Sequence, residues 1–105
     1  MQIIETSIFT SRVLELLSDD DYRELQSILI IRPDAGPVIP GSGGLRKLRW
    51  AANGRGKRGG ARIIYYWVTL QDQLLMLYIY PKNEQDNLTP DQLKALKNIV
   101  EREYP

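Results

Sequence analysis

Seven basic side chains, Arg46, Lys47, Arg49, Arg55, Lys57, Arg58 and Arg62, fall within residues 35–71 with no acidic residue among them. They are half of the 14 lysines and arginines in a 105-residue chain whose formal net charge is only +1. Segregation of this kind puts a strong field on one side of a molecule that is not basic overall, and its natural counterpart is a polyanion. Trp50, Tyr65, Tyr66 and Trp67 lie in the same stretch, and flat apolar faces beside cations suit unpaired bases. Nucleic acid is the expected ligand. A solvated basic loop joining two ordinary strands is the alternative.

Spacing sharpens the expectation. On extended backbone the side-chain period is two, so Lys47 and Arg49 share a side, as do Arg62, Ile64 and Tyr66 on a later segment, with Ala61, Ile63, Tyr65 and Trp67 opposite. If the side bearing Arg62 is the open one, Lys47, Arg49 and Arg62 converge, and Lys82 enters from the end of the next strand. Four cations would then face one phosphate. Tyr80 shares a side with Lys82 and could stack on a base or donate a proton; an ordinary half-buried strand tyrosine is the other reading. Glu84 is the carboxylate nearest to them in sequence. For Tyr65 and Trp67, core packing is expected.

Other chemistries fit less well. Gly54-Arg55-Gly56-Lys57-Arg58-Gly59 spells the dinucleotide glycine fingerprint, but that motif needs a strand before it and a helix after it, whereas a strand follows this one. A hairpin with mobile basic side chains is the better reading. The chain has no histidine and no cysteine, so proton transfer would fall to Lys, Tyr, Glu or Asp, and neither a disulfide framework nor a thiolate site is available. The carboxylates are scattered, so no metal site and no cofactor are expected. The longest apolar run, residues 74–80, is far short of the roughly 20 residues that span a bilayer. With no signal-peptide pattern either, a cytoplasmic protein without membrane attachment is expected.

The elements that must position these residues can be read in order. Residues 2–5 form a short strand. Phe9, Val13, Leu16 and Leu17 recur at helical spacing, and Ser18, three residues before Asp21, opens a second helix with the stripe Tyr22, Leu25, Ile28 and Leu29 that Pro33 stops. Residues 33–44 hold three prolines and four glycines, a surface loop. Residues 45–50 read as a strand, 53–60 as a glycine-rich basic turn, and 61–70 and 74–80 as the central strands, joined by Gln71-Asp72-Gln73. Thr89-Pro90-Asp91-Gln92 gives an N-cap, a proline at the first helical position and a capping-box glutamine, with Leu88 and Leu93 placed as a hydrophobic staple and Leu93, Leu96 and Val100 as the buried stripe. The order strand, helix, helix, three strands, helix predicts an α+β domain with a mostly antiparallel four-stranded sheet, residues 1–105 forming a single domain.

Gly44-Leu45-Arg46-Lys47, the run of residues 56–66 and Tyr80-Pro81-Lys82-Asn83-Glu84 with Asn87-Leu88-Thr89 together resemble the RelE/HigB toxins of bacterial type II toxin–antitoxin modules, especially the HigB-like branch with its glycine-rich basic hairpin. The resemblance covers nearly the whole chain. It implies a RelE-like fold and an endoribonuclease that enters the A site of the 70S ribosome and cuts messenger RNA there, without metal or small-molecule cofactor. It also implies a cognate antitoxin, of the helix-turn-helix HigA kind, that neutralises it. Lys47 and Arg49 resemble the basic pair on the second strand, Arg62 the arginine opening the third, and Lys82 the basic residue after the fourth. Asn83 and Leu88 depart from the arginine and tyrosine of some RelE relatives, and the histidines of other HigB-type relatives are missing.

RNA cleavage of that kind requires removal of the 2′-OH proton, stabilisation of a phosphorane-like transition state and protonation of the departing 5′ oxygen. Arginine suits the middle task, which falls to Arg62 and Arg49. Lys47 or Lys82, crowded by cations, could supply a neutral amine as base, with Tyr80 or the other lysine as acid. Arg46, Arg55, Lys57, Arg58, Tyr66 and Glu84 are the expected RNA contacts. Two other readings stay open: a ParE-like gyrase inhibitor on the same architecture, and a non-catalytic RNA- or ribosome-binding module.

Overall fold

In a computed structural model, which describes residues 1–51 and 60–104, the chain folds in the order β1 (Gln2–Glu5), α1 (Ser7–Leu16), α2 (Asp19–Ile31), β2 (Arg46–Trp50), β3 (Ala61–Val68), β4 (Gln73–Pro81) and α3 (Pro90–Glu103). This is the expected α+β architecture. One mixed sheet runs β1-β4-β3-β2, with β2–β3 and β3–β4 antiparallel and β1 parallel to β4 at the edge. Among the described residues no helix is long and apolar enough to cross a membrane.

Local chemistry accounts for the helix starts. The Ser18 hydroxyl accepts from the Asp21 N–H at 3.1 Å, and Asp19, Asp20 and Asp21 place negative charge at the positive end of the α2 dipole. At α3 the capping box is complete: Gln92 N–H donates to the Thr89 hydroxyl, and the Gln92 side-chain oxygen accepts from Thr89 N–H. β3 is shorter than the sequence suggests. It ends at Val68 because residues 69–71 tighten into a 3₁₀ turn that Asp72 closes in the left-handed conformation.

Each face of the sheet has its own core. Ala61, Ile63, Tyr65, Leu74, Met76 and Ile79 pack with Phe9 and Val13 of α1, Leu17 just after it, and Leu25 and Leu29 of α2, and Trp50 and Trp67 join that cluster. The other face buries Leu45, Ile64, Leu75, Leu77 and Tyr80 against Leu96 and Val100 of α3. Tyr65 packs in the core as expected, and its hydroxyl donates to Pro33 O at 2.7 Å and accepts from Gly36 N–H at 2.9 Å, fastening the loop ahead of β2.

A break in the β3–β4 register decides which β4 side chains share a face with Arg62. Ile64 pairs with Tyr78 but Tyr65 pairs with Met76, leaving Leu77 as an extra residue in β4. Met76 packs toward α1 and α2, whereas Leu77, Tyr78 and Tyr80 all pack on the α3 side. Strict alternation from Met76 would have sent Tyr78 and Tyr80 to the other face.

Candidate functional site

The β2–β3 and β3–β4 registers place Arg49 opposite Arg62, and Arg62 opposite Tyr80. The three form one row across the sheet, where directly opposed residues stand about 5 Å apart at Cβ. The adjacent row on the same face is Lys47, Ile64 and Tyr78. The face carrying Arg62 is thus the α3 side. It is covered by α3 toward Leu45 and Leu75 and bears its charged groups at the end where β3 begins and β4 finishes.

Burial grades along the row. Tyr80 is 0% exposed and Arg62 8%, while Arg49 is exposed. The Arg62 guanidinium donates to the backbone oxygen of Ala61 at 3.3 Å. The Tyr80 hydroxyl donates to the Asp86 backbone oxygen at 3.3 Å. Burial raises the Tyr80 phenol above its ordinary pKa; Arg62 pulls it back, and Asp86 and Tyr78 add to the rise. Lys47 moves the other way. Partial burial lowers its pKa, the Arg49 and Arg62 charges lower it further, and the Asp86 carboxylate partly offsets them. The Lys47 ammonium donates to the Asn87 side-chain oxygen at 2.7 Å.

Lys82 follows directly on β4, exposed, with its backbone N–H donating to Gly60 O at 3.0 Å. Gly60 is itself a steric requirement. Its φ is +65°, and a Cβ there would lie 1.9 Å from the Trp50 carbonyl oxygen, so only glycine lets β2 and β3 approach at this end of the row.

The remaining candidate residues are placed elsewhere. Arg46 alternates to the opposite face, where its guanidinium donates to Gly36 O at 2.8 Å and to Asp34 O at 3.4 Å, fastening the same loop as Tyr65. Tyr66 packs in the α3-side cluster with its ring centroid 6.2 Å from that of Tyr104, away from the row. Glu84 is held by Arg12 of α1 at 3.1 Å, and Arg12 also donates to Ile79 O at 2.8 Å and lies 4.9 Å above the Tyr78 ring. Arg55, Lys57 and Arg58 lie outside the described residues.

Sequence reasoning missed Asp86 and Asn87 as site residues. In the sequence Asn87 stands out only as part of a motif, and nothing in the spacing shows that it meets a lysine 40 residues away. The available signal was compositional: residues 82–87 are all polar, an unusual run between a buried strand and a helix cap.

Chemically, the row offers two fixed positive charges to an anion, with Lys47 beside it shifted away from its charged form and the Tyr80 phenol buried at its inner end. The protein-family model described as RelE toxin of RelE / RelB toxin-antitoxin system matches residues 40–103, a span that holds β2, β3, β4, α3 and every member of the row.

Proposed function

Since the chain belongs to the RelE toxin family of toxin–antitoxin systems, we propose that it inhibits translation by cutting messenger RNA in the ribosomal decoding site through 2′-OH attack at the Arg49–Arg62 row. The observation that carries this reading is the row itself, with Lys47 beside it. In the proposed reaction the neutral amine of Lys47 takes the 2′-OH proton, the 2′ oxygen forms a bond to phosphorus, and the bond from phosphorus to the 5′ oxygen breaks. Lys82 gives its proton to that oxygen. The products are a 2′,3′-cyclic phosphate and a 5′-hydroxyl end. Arg62 and Arg49 hold the charge that gathers on the non-bridging oxygens, where a prepositioned donor is worth the most. Because the nucleophile is the 2′-OH, DNA is immune.

Tyr80 is assigned as a brace rather than the acid, because a phenol with no exposed surface cannot reach a departing oxygen. The glycine-rich basic run of residues 56–61 favours the HigB-like branch, and with it a helix-turn-helix antitoxin of the HigA kind. A cytoplasmic location and a single domain over residues 1–105 complete the proposal.

Mapping RNA ends after brief induced expression, alongside primer extension on ribosome-bound message, tests the reading. New ends inside translated message are expected. Intact message with inhibited supercoiling would transfer the chain to the gyrase-inhibiting group, and RNA retention without new ends would make it a binding module.

A further inference from the structure

We propose that Asn87 is the positioning residue of Lys47, aiming its ε-amino group at the scissile linkage, and that residues 82–89 form a braced arch that keeps this amide in place. The inference rests on the ribonuclease reading above. Lysine carries its nitrogen on a flexible four-carbon stem, so a lysine in an open anion site has no defined direction unless something receives one of its N–H groups. Asn87 does so at 2.7 Å from across the sheet end.

The chemistry of the acceptor is specific. An amide oxygen accepts an N–H from an ammonium and from a neutral amine alike, so it fixes the direction of Lys47 in both states. A carboxylate would hold the proton on and oppose base catalysis. Among the described residues, the groups facing Lys47 are Arg49 on its own strand, Arg62 of β3 and Asp86 of the arch, with Tyr80 of β4 next to Arg62. Asp86 already supplies one negative charge, and aspartate at position 87 would add a second.

The arch is tied down at several points. The Tyr80 hydroxyl donates to Asp86 O, and the Gln85 side-chain amide donates both to Asn87 O at 2.8 Å and to the Gln92 side-chain oxygen at 2.7 Å. That same Gln92 oxygen closes the capping box on Thr89. The N-terminus of α3 is therefore linked, through Gln92 and Gln85, to the residue that directs Lys47.

Single-turnover cleavage of ribosome-bound message across pH should be compared for wild type, Asn87→Ala and Asn87→Asp, each also with Lys47→Met. In parallel, the Lys47 side-chain resonance of the free protein should be titrated by NMR. Asn87→Ala is expected to slow cleavage by roughly 10- to 100-fold while RNA retention is unchanged, the scale of a misplaced reacting group. Asn87→Asp is expected to move the Lys47 titration and the rising limb of the pH–rate profile to higher pH. Neither change should slow the Lys47→Met protein further. A Lys47 titration unmoved by Asn87→Asp, or an equal loss from Asn87→Ala in the Lys47→Met background, overturns the tether. A wild-type protein that leaves message intact overturns the ribonuclease reading itself, and the free-protein titration separates the two failures.

Discussion

Arg49 and Arg62 face each other directly across the β2–β3 ladder, two like charges on one side of the sheet. Such a pairing opposes folding, since like charges directly opposite are destabilising. A polyanion between them turns the repulsion into attraction. Arg49→Gln should therefore stabilise the free protein by roughly 0.2–1 kcal/mol while reducing cleavage. Thermal unfolding and single-turnover assays on the same sample check both halves; a lower melting temperature would show that Arg49 contributes packing instead.

Arg62→Gln should lower cleavage by about 10²-fold or more, comparable with losing one oxyanion donor. Replacing Lys57 or Arg58 by alanine should instead weaken ribosome association at high salt and reduce the salt slope by about one unit each. Rates and binding measured over a salt series separate these roles, and matching losses in cleavage from all three changes would remove the distinction.

Tyr80→Phe deletes only the hydroxyl that donates to Asp86 O. A brace predicts a stability loss of about 1 kcal/mol and a modest fall in rate. A general acid predicts a loss of about 10²- to 10⁴-fold. Chemical denaturation alongside cleavage distinguishes the two.

Lys47 sets a pH dependence of definite sign. Burial and the two arginines disfavour its ammonium, so the folded chain releases this proton at a lower pH than the unfolded chain does. Between those two values the unfolded chain binds more protons, so this residue's contribution makes stability rise with pH, levelling off above the unfolded value of about 10.4. The stability of wild type relative to Lys47→Met, from urea melts between neutral and alkaline pH, should improve as pH increases. A flat or falling difference would mean that the ammonium is not disfavoured in the fold. Cleavage should climb through the folded value for the same reason.

Gly60→Ala forces a Cβ to 1.9 Å from the Trp50 carbonyl oxygen at a positive φ. Backbone strain of that kind costs of order 1–3 kcal/mol, and relief requires β2 and β3 to separate at the Arg49–Arg62 end. Lower thermal stability with a disproportionate loss of cleavage is expected. A variant with wild-type stability and rate would show that the row tolerates a wider strand spacing.

Much of the fold was legible because its signals are local. Ser18, Thr89 and Gln92 write their caps within four residues, and the alternation along β3 told Arg62 and Ile64 from Ile63 and Tyr65 because the side-chain period of a strand is fixed. Residues fixed by distant partners were less legible. Arg46 sits among basic neighbours in the sequence, yet its guanidinium faces the loop carbonyls of Asp34 and Gly36, which lie next to it only once β2 has docked. Glu84 likewise finds Arg12 across 72 residues.

Periodicity and composition along single segments are enough for the element order, the segregation of positive charge and the grouping of Lys47 with Arg49 on one side of β2 and of Arg62 with Ile64 and Tyr66 on one side of β3; that the two groups share a face comes from the β2–β3 pairing. That Tyr80 joins them and that Asn87 meets Lys47 follows only from the three-dimensional arrangement. The first depends on the extra residue Leu77, which reverses the faces of β4 only where that strand pairs with β3. The second depends on an arch closed between a strand end and a helix cap. Register and loop closure are properties of paired segments, and no single stretch of chain encodes a pairing.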